Sequence, residues 1–311
     1  MTIYTTLQTF PANLREQVIL IGNFDGLHKG HQTLITRGRD IAAKMGKELI
    51  VLTFEPHPRL LFRPDDQPFR LTPAKIKFRK LMEYGVDHII AIPFDWDFAS
   101  QSADDFIHRI LLQTLSAAHI IVGDDFRFGQ LRQGTPQMIE NAGITVTAIS
   151  PEMNEEGKIF SSSRIRQALR RGEIEEANKM LGWEWEIEGP VTHGDKRGRE
   201  IGYPTANIML GETLHPSYGI YAGWAQVEED NTWWPTAINI GIRPMFELQQ
   251  GQVEAHILDG FDRDIYDLSL RVKPVRKIRG EAKFESLDAL IEQIDRDCKT
   301  TLEILKSQKQ A

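Results

Sequence analysis

Two histidines three residues apart, His28 and His31, end the string Gly22-Asn23-Phe24-Asp25-Gly26-Leu27-His28-Lys29-Gly30-His31. The apolar run Val18 to Ile21 precedes this string, and a helical pattern follows it. Imidazoles at such a turn can donate hydrogen bonds to phosphoryl oxygens as charge builds on them, which is electrostatic catalysis without a covalent intermediate. Gly22, Gly26 and Gly30 let backbone approach a ligand closely, and a helix that starts near Gly30 offers N–H groups and a positive dipole end to phosphate. The same pair could instead be a helix cap beside a surface residue, or two metal ligands. The flanking glycines and the strand-to-helix handover favour phosphate chemistry.

A second constellation lies in Gly189-Pro190-Val191-Thr192-His193-Gly194-Asp195-Lys196-Arg197-Gly198-Arg199-Glu200-Ile201-Gly202-Tyr203-Pro204-Thr205-Ala206-Asn207. Gly194, Gly198 and Gly202 recur every four residues around Lys196, Arg197 and Arg199. A flexible basic loop followed by Thr205 and Asn207, two neutral oxygen donors on one side of a strand, can wrap polyphosphate and hold Mg²⁺. It is not a Walker A loop, because no Gly-Lys-Ser/Thr follows at the required spacing. Read alone, it is equally a solvated turn. In Val253-Glu254-Ala255-His256-Ile257-Leu258 the apolar residues alternate on one face and Glu254 falls on the other, the pattern of a solvated strand residue.

These residues need elements to hold them. In the first half, the strand-sized runs Val18 to Ile21, Leu49 to Phe54, His88 to Ile92, His119 to Val122 and Ile144 to Ile149 alternate with helical patterns such as His31 to Met45 and Ala103 to Leu115. Such alternation predicts right-handed crossovers and a parallel sheet with ligands at the carboxyl ends of its strands. Ser161 to Arg171 and Ile174 to Leu181 read as two short helices. From Glu186 the pattern turns β-like: Ile187 to Val191, Ile220 to Gln226, Pro235 to Ile240, Val253 to Leu258 and Leu268 to Pro274 are short runs between Gly, Pro, Asn and Asp. Ser286 then caps a closing amphipathic helix that runs to Leu305. A domain boundary is expected between residues 185 and 186.

At 311 residues, with 41% hydrophobic and 26% charged, the chain suits about two globular domains. A net charge of −7 argues against a sequence-independent grip on nucleic acid or anionic lipid. The one cysteine, Cys298, excludes an internal disulfide and a multi-cysteine zinc site. No apolar run approaches the roughly 20 residues that cross a bilayer, and the start of the chain lacks a signal-peptide pattern. The expectation is a cytoplasmic chain with no nucleic-acid or membrane partner.

His28-Lys29-Gly30-His31 is similar to the His-x-Gly-His signature of nucleotidylyltransferases, and the longer string resembles the form found in the bacterial bifunctional riboflavin kinase/FAD synthetase family. Thr53-Phe54-Glu55-Pro56-His57-Pro58, Gly123-Asp124-Asp125-Phe126-Arg127-Phe128-Gly129 and Ser161-Ser162-Ser163-Arg164-Ile165-Arg166 agree with it. So do Pro204-Thr205-Ala206-Asn207, Tyr218-Gly219-Ile220-Tyr221-Ala222-Gly223, Ile238-Asn239-Ile240-Gly241-Ile242-Arg243-Pro244 and Arg279-Gly280-Glu281-Ala282-Lys283-Phe284. The chain departs from the family's usual residues at Met245, Asp267 and Ser163.

The resemblance implies an α/β fold. Residues 1–185 would form a Rossmann-like nucleotidylyltransferase domain with a parallel sheet, and residues 186–311 a small antiparallel β-barrel closed by a helix. It implies phosphorylation of riboflavin to FMN and adenylylation of FMN to FAD, with ATP as co-substrate and Mg²⁺ as cofactor. His28 and His31 would be catalytic, with Gly22, Asn23, Phe24, Asp25, Gly26, Gly30, Asp125, Phe128, Ser162, Ser163 and Arg166 at ATP and FMN. In the kinase, Gly194, Lys196, Arg199, Gly202, Pro204, Tyr221, Asn239 and Arg279 would hold ATP and flavin, Thr205 and Asn207 the metal, and Glu254 would be the general base. Partners would be these small molecules and flavin-receiving apoenzymes. Two other readings stand beside this one, a monofunctional adenylyltransferase with a weakened kinase module and a non-catalytic flavin-binding protein. A class I aminoacyl-tRNA synthetase is set aside, since no Lys-Met-Ser-Lys-Ser-like loop is present.

Overall fold

The computed structural model describes residues 2–8, 10–193, 201–228, 230–245 and 248–308. The chain forms two compact units, Met1–Asp66 with Thr72–Ser161 and Gln67–Leu71 with Ser162–Ala311.

In the first unit, β1 (Thr2–Tyr4), β2 (Val18–Ile21), β3 (Leu49–Glu55), β4 (His88–Pro93), β5 (His119–Gly123) and β6 (Thr145–Ile149) form one parallel sheet in the order β1-β4-β3-β2-β5-β6. Between them run α1 (Lys29–Met45), α2 (Pro58–Phe62), α3 (Ala74–Glu83), α4 (Trp96–Ala99), α5 (Ala103–Asp105) continued by π-helical turns over Phe106–Thr114, and α6 (Pro136–Asn141). Alternate residues feed opposite faces. Val18, Leu20, Leu49 and Val51 join one apolar cluster, and Ile19, Ile21, Ile50 and Leu52 join the other. Burial on both faces is why these strands read as unbroken apolar runs.

Helix α1 starts at its extended N-cap His28 and stops where Gly46 adopts a left-handed conformation and donates to Ala42. It lies close on the sheet, since a Cβ at Gly38 would stand 2.9 Å from Leu49 Cδ1. The chain places β3 and β4 to one side of β2 and returns to place β5 on the other. The sheet therefore changes direction at the carboxyl ends of β2 and β5, where a doubly wound sheet opens a crevice.

The second unit contains α7 (Ser162–Arg171), α8 (Ile174–Leu181), β7 (Ile187–Pro190), β8 (Ala206–Met209), β9 (Gly219–Val227), β10 (Trp234–Met245), β11 (Leu248–Ile257), β12 (Ser269–Arg279) and α9 (Leu287–Gln308). Its six strands pair antiparallel in the order β7-β12-β9-β10-β11-β8. A bridge from Thr192 N–H to the Asn207 carbonyl (2.8 Å) brings the two edges together, so the sheet is a nearly closed barrel. Ser286 caps α9 by accepting from Ala289 N–H (3.1 Å). Leu305 and Ile304 of that helix pack on Ala222, Trp224, Val275 and Ile278. Arg279 of β12 clamps the helix through Asp297, with Nη2 2.7 Å from Oδ2 and Nε 3.1 Å from Oδ1.

The boundary differs from the expected break at 185/186, because the contacts divide at Ser161/Ser162 and add Gln67–Leu71 to the barrel's unit. The reason is packing. α7 and α8 bury Ile165, Leu169, Ile174, Ala177, Met180 and Leu181, and Glu175 pairs with Arg276 of β12 at 2.6 Å. The fully buried Trp185 donates its indole N–H to the Leu71 carbonyl (2.9 Å). The change of pattern at Glu186 marks a switch from helix to strand, and both helices belong with the barrel.

Candidate active sites

In the first unit, the loop between β2 and α1 has an uncommon backbone. Phe24 (φ 51°) and Leu27 (φ 39°) are bulky residues in the left-handed region, with Gly26 (φ 88°) between them. Each non-glycine residue there costs about 1–3 kcal/mol, strain of a kind concentrated at functional sites. The loop turns Phe24 inward, 1% exposed and edge-on to His31 at 5.3 Å. A Cβ at Gly22 would stand 2.9 Å from Phe24 Cζ, so glycine there is set by the buried ring. His28 and His31 follow, their rings stacked 3.7 Å apart.

A cavity of about 990 Å³ opens at the direction change of the sheet. Gly22 and Asn23 just past the end of β2 line it, with Phe54 near the end of β3 and His57 and Pro58 after it, Phe94, Trp96 and Phe98 after β4, and Asp125 to Phe128 after β5. The aromatic rings pack edge to face: Phe54 on Phe94 at 5.6 Å, Phe62 on Trp96 at 5.6 Å, Phe98 on Phe106 at 6.2 Å. Arg59, Arg63, Arg127 and Arg132 stand on the same walls. Arg59 is paired with Asp66 at 2.6 Å; an apolar slot with arginines on its walls suits a planar aromatic ligand that carries an anionic group.

In the second unit, three polar side chains occupy one register row. Asn207 of β8 pairs with Glu254 of β11, and Glu254 with Asn239 of β10. Residues in register share a face, so a carboxylate stands between two amides. Asn239 Nδ2 donates to Glu254 Oε2 (3.2 Å), and Gln252 Nε2 donates to Oε1. Asn207 Nδ2 turns to the Thr205 carbonyl (3.4 Å). Among the described residues no cluster of three His, Cys, Asp or Glu could bind a metal. The donor set at Thr205 and Asn207 is instead neutral oxygen beside one carboxylate, which fits a hard cation that brings its remaining ligands with it.

The comparisons with known proteins agree across the chain. A family model described as FAD synthetase matches residues 10–164, and one described as riboflavin kinase matches residues 181–305. The bifunctional riboflavin kinase/FMN adenylyltransferase of Escherichia coli (strain K12) is 38% identical over 298 residues, covering 94% of both chains. That of Bacillus subtilis (strain 168) is 35% identical over 292 residues, covering 91% of this chain and 90% of its own. The chain belongs to the bifunctional riboflavin kinase/FMN adenylyltransferase family. It phosphorylates riboflavin to FMN and adenylylates FMN to FAD, with flavins and ATP as its small-molecule substrates. A solved structure described as a macrolide-efflux protein from Streptococcus pneumoniae is also similar, at 31% identity, with a TM-score of 0.84 and coverage of 96% of this chain and 98% of that one. Among the described residues of this family member, no helix is long and apolar enough to cross a membrane.

Measured against the family's motifs, the structure gathers Gly22, Asn23, Asp125 and Phe128 at the cavity. Gly26, Gly30, His28 and His31 lie at the adjoining turn. Phe24 and Asp25, expected at ligand, are 1% and 2% exposed, and His28 is 7% exposed; Asp25 accepts from the Thr72 backbone N–H (2.9 Å). They shape the loop. Ser162, Ser163 and Arg166 were also expected at ATP. They fall in the second unit, where Arg166 Nε donates to the Phe69 carbonyl (2.9 Å) and its guanidinium lies 5.4 Å from that ring.

Of the kinase residues, Gly202 and Pro204 are exposed, Pro204 with its carbonyl 2.8 Å from His256 Nδ1. Tyr221, expected at ligand, is fully buried, and its hydroxyl donates to the Ser217 carbonyl; burial pushes that phenol far up. Arg279, also expected there, pairs with Asp297 at 2.7 Å. Gly194, Lys196 and Arg199 lie outside the described residues. Sequence reasoning missed the aromatic wall, whose signal was Phe94-Asp95-Trp96-Asp97-Phe98 with an aromatic at every second place. It also missed Thr72 and Lys77, which carry no motif.

Proposed function

We propose that the cavity of the first unit is the FMN and ATP site of adenylylation, and that the Asn207–Glu254–Asn239 row is the centre of the kinase. One observation supports the first assignment most: the aromatic cavity and the His28–His31 turn both begin at the end of β2. The flavin ring would lie among Phe54, Phe62, Trp96 and Phe128, and its phosphate would meet the arginines. His28 and His31 would donate to the phosphoryl oxygens of ATP as negative charge grows on them, aided by the N-terminal dipole of α1. They need no proton transfer to do this, only fixed places.

In the kinase, Glu254 would accept the proton of the ribityl hydroxyl as its oxygen attacks the terminal phosphorus of ATP, with Asn239 and Gln252 orienting the carboxylate. Thr205 and Asn207 would hold Mg²⁺, whose part is to offset phosphate charge. We place the chain in the cytoplasm, with apoenzymes that take up FMN or FAD as recipients of its products and nucleic acid not among its partners.

The test is a chromatographic assay of riboflavin with Mg-ATP that resolves FMN from FAD, run on the unaltered chain and on His31→Ala and Glu254→Gln. His31→Ala should accumulate FMN without FAD. Glu254→Gln should make no FMN from riboflavin yet convert added FMN to FAD. Loss of FMN formation in His31→Ala, or failure of Glu254→Gln to convert added FMN to FAD, would overturn the two assignments.

A further inference from the structure

The turn that carries His28 and His31 does not keep its shape by local preference. Phe24 and Leu27 sit in the left-handed region, so neighbours must over-determine the loop. Two residues do this, Thr72 just before α3 and Lys77 in its first turn. Thr72 is fully buried. Its backbone N–H donates to Asp25 Oδ1 (2.9 Å), its hydroxyl donates to the same oxygen (3.2 Å), and that hydroxyl accepts from Gly26 N–H (2.8 Å).

Lys77, in the first turns of α3, is also fully buried. Its ammonium donates to the Thr53 hydroxyl (3.0 Å) and to the carbonyls of Asn23 and Phe54 (3.4 Å each), and Glu55 Oε1 balances its charge at 2.6 Å. One residue grips the far shoulder of the turn, Asp25–Gly26; the other grips the near shoulder, Asn23, together with the end of β3. Neither lines the cavity.

We infer that Thr72 and Lys77 are positioning residues for adenylylation, holding the Asn23–Gly26 turn so that His28 and His31 meet the phosphates in register. This rests on the adenylylation role proposed for the two histidines. Misplacement of such donors by about 1 Å can cost on the order of 10²-fold in rate while substrate still binds.

The experiment uses the full chain, with circular dichroism and the KM for FMN and ATP as controls for folding of the first unit, and FMN formation from riboflavin as the control for the second. Thr72→Val keeps the shape and removes the hydroxyl, whereas Thr72→Ser keeps the hydroxyl. The expected result for Thr72→Val is a fall in kcat for FAD formation of about 10- to 100-fold. KM for FMN and ATP should change by less than about threefold and FMN formation should hold, while Thr72→Ser stays near the unaltered chain. Undiminished kcat in Thr72→Val, or failure of serine to rescue, overturns the inference. Should Thr72→Val not fold, Lys77→Met with Glu55→Gln, which leaves no buried charge alone, must show the same kcat loss, and normal kcat there overturns it. His31→Ala run alongside separates two failures. If it still makes FAD, the reading of the histidines is wrong; if it does not while Thr72→Val does, only the positioning role is wrong.

Discussion

The His28 and His31 rings stack face to face, centroids 3.7 Å apart and planes 20° from parallel, one from the N-cap of α1 and the other from its first turn. Under the role proposed for them, two imidazoles so placed would offer neighbouring donors to one polyphosphate. Because α1 is anchored on the sheet through Ile35, Gly38 and Ala42, the pair arrives already oriented.

Loss of one such donor should therefore be felt in the transition state. His31→Ala is expected to slow FAD formation by about 10²- to 10³-fold, the usual cost of one preorganised donor at a charge-developing phosphate. FMN formation should stay within about twofold. Steady-state kinetics on each reaction separately check both halves.

Glu254→Gln and Asn207→Ala should damage the kinase in different ways. Glutamine retains the row's shape but cannot take a proton, so kcat should fall by about 10² or more with KM for riboflavin little changed. Removal of the Asn207 amide should raise KM for ATP and shift the Mg²⁺ requirement upward as well as slow turnover. Titration of activity against Mg²⁺ and ATP tells the two patterns apart. Near-normal turnover by Glu254→Gln would leave the glutamate a strand residue facing water.

A fragment of residues 162–311 should be more stable than one of residues 186–311. The shorter one loses Ile165, Leu169, Met180, Leu181 and Trp185, all buried, and the Glu175–Arg276 pair. Thermal unfolding followed by circular dichroism should put it at least about 3 °C lower, the shift that roughly 1 kcal/mol produces in a domain of this size. Equal midpoints would mean that α7 and α8 add nothing to the barrel.

Cys298 should react sluggishly with thiolate-selective reagents. Burial, with Asp297 and Asp295 nearby, pushes its thiol from 9.0 up to about 11. The thiol stays protonated longer as pH rises, so at pH 8 its thiolate fraction is about 100-fold lower than that of an unshifted thiol. Alkylation rates measured from pH 8 to 11 should keep climbing through the upper end of that range, whereas a plateau near pH 9 would contradict the shift.

Much of this was readable in the residues. The central strand Val18 to Ile21 and its neighbour starting at Leu49 announce themselves because both faces are buried, which leaves continuous apolar text. Thr2–Tyr4, a short edge strand, carries no such text and escaped notice. The His28–His31 turn was legible because glycine and histidine are types chosen for chemistry. Thr72 and Lys77 were not, because a buried threonine and a buried lysine look in sequence like any surface pair; only the loop they grip, 47 and 54 residues earlier, gives them meaning. Arg166 shows the converse. Its place after a serine run suggested phosphate; what only the structure adds is that its Nε donates to the Phe69 carbonyl, 97 residues earlier.

The five residues Gln67–Leu71 have a history that the finished fold conceals. Their backbone partners are made much later: Leu71 waits for Trp185, 114 residues on, and Arg70 for the chain near Glu212 and Leu214. At the roughly 5–20 residues per second of synthesis, that wait is on the order of 10 s. Through it, the bonds that join Leu71 to Trp185 and Arg70 to the chain near Glu212 and Leu214 cannot yet be made. The second unit is thus assembled from two pieces of chain made at different times, and it cannot be completed until synthesis has passed Leu214.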